Sequence, residues 1–187
     1  MTFEEIYKQI EGLEGENWMP SEDARVLYDI AKDIKGTIVE IGCWRGKSSK
    51  VLCLASPDSR VISVDPCEGK YTNKPNGIGS DVKPGLFKNM ADTKNWEIMI
   101  MTSMQASIDW ETPIDLLFVD GLHDYDNLML DISQWVPHIK KGGYVVFHDY
   151  WDVAFKGIRK ACDECGFEEP NRNNLRGGKT ACGVFKI

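Results

Sequence analysis

The stretch IVEIGCWRGKSS, residues 38–49, runs from apolar residues to an acid, Glu40, then through Gly42 and Gly46 into a basic, hydroxyl-rich segment. That order describes a strand turning tightly into a helix. Gly42 and Gly46 stand where a ligand presses against backbone, and a side chain at Gly46 would intrude on it. A second apolar run, VISVD, ends in Asp65 about twenty residues later. In a doubly wound sheet an acid at that place takes the two hydroxyls of a ribose. Two later runs also end in acids: LLFVD at Asp120, with His123 three residues on, and YVVFHD at His148 and Asp149. The pattern is that of a nucleoside site beside a pair of carboxylates.

The string GCWRGKS approaches a phosphate-binding loop, with Asp120 available as its acidic strand. That motif needs four residues between its first glycine and Gly-Lys-Ser, and only Cys43, Trp44 and Arg45 intervene. Glu40 also opposes a phosphate. At ~5 Å and an effective dielectric of ~20, the two charges repel by roughly 3 kcal/mol, and a cation is attracted by as much. The dinucleotide fingerprint fails as well, because Cys43 and Trp44 stand where its middle glycine belongs. A nucleoside with positive charge and no phosphate fits best, and S-adenosylmethionine is one.

The run WMPSEDARVLYDIAKDIKGTIVEIGCWRGKSS, preceded here by Glu16 and Asn17, resembles the start of the class I S-adenosylmethionine-dependent methyltransferases. It is most similar to the small group related to macrocin-type sugar O-methyltransferases and cephalosporin-hydroxylase-like proteins. The run IDLLFVDGLHDYDNLMLDISQWVPHIKKGGYVVFHDY is similar to that group's fourth and fifth strand segments. Together they cover about residues 17 to 152. The resemblance implies a Rossmann-like α/β domain over residues 1–187, with seven strands in the order 3-2-1-4-5-7-6 and strand 7 antiparallel. It also implies methyl transfer to a hydroxyl of a small acceptor such as a sugar or glycosylated metabolite.

Site residues follow from both sources. Glu40 faces the methionine end of the cofactor or organises the loop. Ser48 and Ser49 reach the cofactor carboxylate or cap the helix. Asp65 binds the ribose. Ser103, Met104 and Gln105 occupy the place where the resembled family lines the adenine, with helix capping by Ser103 as the alternative. Asp120 belongs to both the cofactor site and the reaction centre. Asp120 and Asp149 resemble the family's metal carboxylates, suited to magnesium or another divalent cation. His148 stands where many relatives carry a second acid and joins that ligand set. His123 is the candidate base, or a structural histidine bonded to Asp120. Two carboxylates closing apolar strands should hold a cation, share a proton or bond a histidine. Tyr125 either lines the pocket or packs its helix, and His138 reads as a surface cap.

These residues need a scaffold of alternating strands and helices. Strands are expected at about 37–42, 61–65, 97–102, 115–120 and 143–148, with helices near 47–56, 84–93, 125–138 and 152–165. N-terminal helices fill residues 3–35, the second capped by Ser21, running to Lys35 and ended by Gly36. The tail from Gly166 reads as two strands joined by NRNNLRGGK. Residues 68–84, EGKYTNKPNGIGSDVKP, have no periodicity and read as a lid over the site or a surface insertion.

A chain of 187 residues with net charge −7 argues for one domain and against nucleic acid as partner. No leader or membrane span is read from it, so a cytoplasmic protein is expected, with room for a homo-oligomer. The six cysteines lack paired metal spacings and read as free thiols. Two rival functions stay open: a P-loop nucleotide hydrolase, and a cofactor-binding protein without catalysis.

Overall fold

The computed structural model describes residues 1–15, 18–68, 81–167 and 180–187. Among them six strands form one sheet: β1 Thr37–Ile41, β2 Arg60–Val64, β3 Trp96–Met99, β4 Ile114–Val119, β5 Ile139–Phe147 and β6 Gly183–Lys186. Their order is β3-β2-β1-β4-β5-β6. The first five run parallel, and β6 pairs antiparallel with β5. The order reverses between β1 and β4, and in open α/β sheets ligands bind beyond the carboxyl ends at such a point. The expected antiparallel last strand is β6. The expected strand before it falls mostly on residues 168–179, outside the described residues, so six strands stand where seven were expected.

Alternation explains why both sheet faces are apolar. Ile38 packs into a core with helices α1 Phe3–Glu11, α2 Ser21–Ala31, α3 Lys47–Ala55 and α4 Lys83–Met90. Its neighbour Val39 points the other way. It joins a second core with α5 Ser103–Ser107, α6 Tyr125–Trp135 and α7 Lys156–Glu164. Leu116 and Leu117 on β4 divide in the same manner. Covering a parallel sheet on both faces produces the near-continuous apolar runs seen in the sequence.

Several boundaries differ from expectation for local reasons. Pro20, not Ser21, occupies the N-cap of α2 and makes no side-chain cap. That helix stops at Ala31, and beyond it the Ile34 carbonyl is held at 2.5 and 2.9 Å by the Ser56 and Ser59 hydroxyls. Pro137 turns the end of α6 into a 3-10 segment, Val136–His138. Helix α5 is foreseen only in the cap offered to Ser103; Thr102 takes that place, and with Gln105 it forms a capping box that the sequence displays as T-x-x-Q. The lid expected over 68–84 lies largely outside the described residues, and α4 already begins at Lys83. All six cysteines are free, five of them buried. No helix among the described residues is long and apolar enough to cross a membrane.

Candidate active site at the carboxyl ends of the strands

The loop leaving β1 is held by its neighbours on both sides. Gly42 has φ +83°, and its amide donates to the Val64 carbonyl at 2.9 Å. A Cβ there would lie 2.0 Å from the backbone oxygen of Asp120. Gly46 has φ +82° and precedes α3; a Cβ would meet Leu86 and Met90 of α4 at 2.9–3.1 Å. The expected intrusion at Gly46 is therefore into helix packing. Among the described residues, the non-glycine positions with positive φ are Trp44, Cys67 and Asp149. They follow β1, β2 and β5, so backbone strain concentrates at this edge of the sheet.

Asp65 organises this loop. Its Oδ2 accepts the amides of Cys43 and Trp44, each at 2.9 Å, and its Oδ1 accepts the Cys67 amide at 2.6 Å. A carboxylate offers about four lone-pair sites, so acceptor capacity remains for a sugar hydroxyl.

Glu40 is fully buried, and its Oε2 accepts the hydroxyls of Ser49 at 2.5 Å and Ser63 at 2.6 Å. Ser63 is in turn bonded by the Trp96 indole at 2.9 Å. Oε1 has no hydrogen-bond partner among the described residues. Burial raises this carboxyl to about 7, against the pull of the Ser48, Ser49 and Ser63 hydroxyls. Glu40 thus organises the interior of the loop, and both serines turn toward it. A raised folded-state pKa gives stability that is fully present below about 4.5 and lost as pH rises through about 7. Glu40→Gln should therefore gain on wild type by roughly 3 kcal/mol between pH 4.5 and 8, at about 1.4 kcal/mol per unit. Urea unfolding at the two pH values measures this, and a pH-independent difference would refute it.

The acid pair sits at the ends of β4 and β5. His123 Nε2 lies 3.2 Å from Asp120 Oδ1, and its Nδ1 lies 3.1 Å from Asp149 Oδ2. Its ring meets Phe155 edge-on, with centroids 4.6 Å apart. His148 Nδ1 lies 3.2 Å from Asp120 Oδ1 and 3.3 Å from Asp149 Oδ1, off the line of a hydrogen bond. Burial would raise the Asp120 carboxyl, but the two histidines outweigh it and hold it well below the usual carboxylate range. Burial works to lower His123, and its bond to Asp120 with the charge of Asp149 reverses the sign, leaving it raised. Asp149 takes φ +56°, a conformation aspartate tolerates better than most side chains. One oxygen each from Asp120 and Asp149 and one nitrogen of His123 lie within 4.8 Å of one another. That spacing, with two hard oxygens and an imidazole, suits a divalent ion such as magnesium or manganese.

The residues after β3 behave differently. Thr102, rather than Ser103, caps α5, and Gln105 closes its capping box. Ser103 donates instead to Asp131 Oδ1 at 2.5 Å, and Met104 is half exposed. Asp131 is buried, and burial lifts its carboxyl to about 6. Acids on helices read as solvated charges, Asp23 as a favourable first-turn acid of α2, and only DISQW, with Asp131 one residue before a core isoleucine, hints at burial. Tyr125 reaches across to Glu164 and so packs its helix against α7. His138 lies at the far end of that helix, in the 3-10 turn.

A family model described as a methyltransferase domain matches residues 39–150. An uncharacterised protein, R132, of Acanthamoeba polyphaga mimivirus is 28% identical over 125 residues, which is 64% of this chain and 53% of that protein. The chain therefore spans about half the length of that relative. Among solved structures, the O-methyltransferase NovP is similar with a TM-score of 0.66 at 13% identity, covering 92% of this chain and 82% of its own. CalS11, a TDP-rhamnose 3'-O-methyltransferase of calicheamicin biosynthesis, gives 0.63 at 16% identity, covering 98% and 92%. The O-methyltransferase TomG from Streptomyces achromogenes, in complex with S-adenosylmethionine, gives 0.59 at 15%, covering 89% and 78%. At these identities the likeness shows the shared fold.

Proposed function

This chain belongs to the methyltransferase-domain family, and on that premise we propose that it transfers methyl from S-adenosylmethionine to a hydroxyl of a small acceptor, such as a sugar or glycosylated metabolite. The observation that carries the reading is the Asp120–His123–Asp149 cluster at the carboxyl ends of β4 and β5, beside the Gly42–Gly46 loop. Two acids, Asp65 and Asp120, flank that loop and favour a cationic nucleoside over a phosphorylated one. The O-methyltransferase activities named for NovP, CalS11 and TomG, and the S-adenosylmethionine bound to TomG, support the same choice.

In the proposed reaction the acceptor oxygen attacks the methyl carbon of the sulfonium. The C–O bond forms as the C–S bond breaks, and S-adenosylhomocysteine leaves with the sulfur electron pair. The hydroxyl proton passes to His123 once that imidazole has released its own, and Asp120 and Asp149 stabilise the imidazolium formed. Asp120, Asp149 and His148 would hold a divalent ion, which when bound lowers the acceptor hydroxyl's pKa and leaves His123 as the base. Labelled methyl transfer to a panel of hydroxylated acceptors, with and without chelator, tests the proposal. Transfer to a hydroxyl supports it, and full rate in excess chelator removes the metal while leaving His123 as base. A protein that binds the cofactor and transfers methyl to no acceptor would favour the non-catalytic alternative.

Asp65 supplies a further expected result. Asp65→Ala should weaken S-adenosylmethionine binding by roughly 1.5–3 kcal/mol, the usual loss for a hydrogen bond to a charged group. It also frees the amides of Cys43 and Trp44, so the loss should lie toward the upper end. Unchanged affinity by calorimetry would remove the ribose assignment.

A further inference from the structure

The chemistry above leaves a buried acid unused. Asp23, in the first turn of α2, is 2% exposed. Its Oδ1 accepts the Thr180 hydroxyl at 2.5 Å and the Ala181 amide at 2.8 Å. Its Oδ2 lies 3.3 Å from Nε2 of His148, within ion-pair distance but, like Nδ1, off the line of a hydrogen bond; the other nitrogen of that ring faces Asp120 and Asp149. One carboxylate thus joins three stretches distant in the chain: the start of α2, the end of β5 and the residues leading into β6. A charge at that depth is retained only where partners compensate its desolvation.

Capping of its own helix does not account for Asp23, since its carboxylate bonds Thr180 and Ala181 and pairs with His148, all outside α2. The Cys182 thiol lies within 4.8 Å of Asp23 and of a His148 nitrogen, and the His148 ring meets Phe118 edge-on, with centroids 6.1 Å apart. That contact is much the same for a ring turned by a half circle about χ2, because this torsion is broad and roughly two-fold. Such a turn would carry Nδ1 away from the acid pair. A carboxylate at Nε2 distinguishes the two orientations, because a flipped ring would present carbon to it.

We propose that Asp23 is a positioning residue of the active site: by holding Nε2 of His148 it fixes the ring with Nδ1 toward Asp120 and Asp149, and it ties that orientation to the seating of α2 and of Thr180–Ala181. The inference rests on the methyl-transfer reading only in treating the acid pair as the reaction centre. The N-terminal helices then do more than cover the sheet, since one of them holds the back of the site.

The chain has three histidines, so long-range proton–nitrogen spectra of the full-length protein can resolve each ring. In Asp23→Asn both ring nitrogens of His148 should shift, with broadening or a second set of signals from the released orientation. His123, which shares both acids, should follow, and His138 should not move. Thr180→Val removes the other side-chain partner of Asp23 but leaves Oδ2, and should keep the wild-type His148 pattern. Asp23→Glu, which keeps the charge and displaces it by one methylene, should shift His148 as well. Wild-type His148 and His123 signals in either Asp23 variant would overturn the proposal. So would a Thr180→Val spectrum as altered as that of Asp23→Asn, because Asp23 would then act only through general packing. Calorimetry on the same samples separates the two levels: wild type that fails to bind S-adenosylmethionine counts against the methyl-transfer reading, whatever the histidine spectra show.

Discussion

Asp149→Asn should lower kcat for methyl transfer by roughly 10²- to 10⁴-fold, the range seen when a group supporting proton transfer or transition-state charge is removed. Affinity for S-adenosylmethionine should change by less than about threefold, under 1 kcal/mol. The two effects divide because Asp149 faces His123 and His148, while the cofactor loop is organised by Asp65 and Glu40. Asparagine tolerates φ +56° about as well as aspartate, so the substitution removes the charge and leaves the backbone in place. Steady-state rates beside calorimetry on the same protein make the comparison. More than about a tenth of wild-type turnover, a cost under 1.4 kcal/mol, would mean the chemistry does not depend on this carboxylate.

The second large effect is on folding. Gly42→Ala should destabilise the protein by about 3 kcal/mol or more, combining a strained left-handed alanine with overpacking. The added carbon would lie 2.0 Å from the Asp120 oxygen and 2.7 Å from its carbonyl carbon, and neither can rotate away. One strand end must move, and Asp120 moves with it. Gly142→Ala is the control: φ is +84° but a Cβ meets nothing within 4 Å, so only the backbone cost of about 1–2 kcal/mol remains. Urea midpoints give both values. If the two variants cost the same, the ends of β1 and β4 do not approach as described.

What could be read from the sequence was whatever local pattern dictates. IVEIG, VISVD, LLFVD and YVVFHD are largely apolar because helices cover both sides of the sheet, and all four appear as strands, with Glu40 inside β1 and Asp65, Asp120 and Asp149 just beyond the other three. The left-handed glycines after β1 were legible for the same reason. Features that depend on a distant partner were not. The Ile34 carbonyl after α2 is held by Ser56 and Ser59 from another segment. The neighbours that forbid a side chain at Gly46 are Leu86 and Met90, forty residues on. Asp23 and Asp131 look like ordinary helix charges until the fold carries His148 and Ser103 to them. The T-x-x-Q box at Thr102 was visible and marks a helix too short for periodicity to reveal.

The nature of the cofactor most directly separates a methyltransferase from a P-loop nucleotide hydrolase. Isothermal calorimetry of the full chain with S-adenosylmethionine, S-adenosylhomocysteine and magnesium ATP compares them under one set of conditions. The first two should bind in the micromolar range, more weakly in Asp65→Ala, and ATP should give no saturable heat. Saturable binding of ATP, with none of S-adenosylmethionine, would contradict methyl transfer and return the Gly42–Gly46 loop to phosphate chemistry.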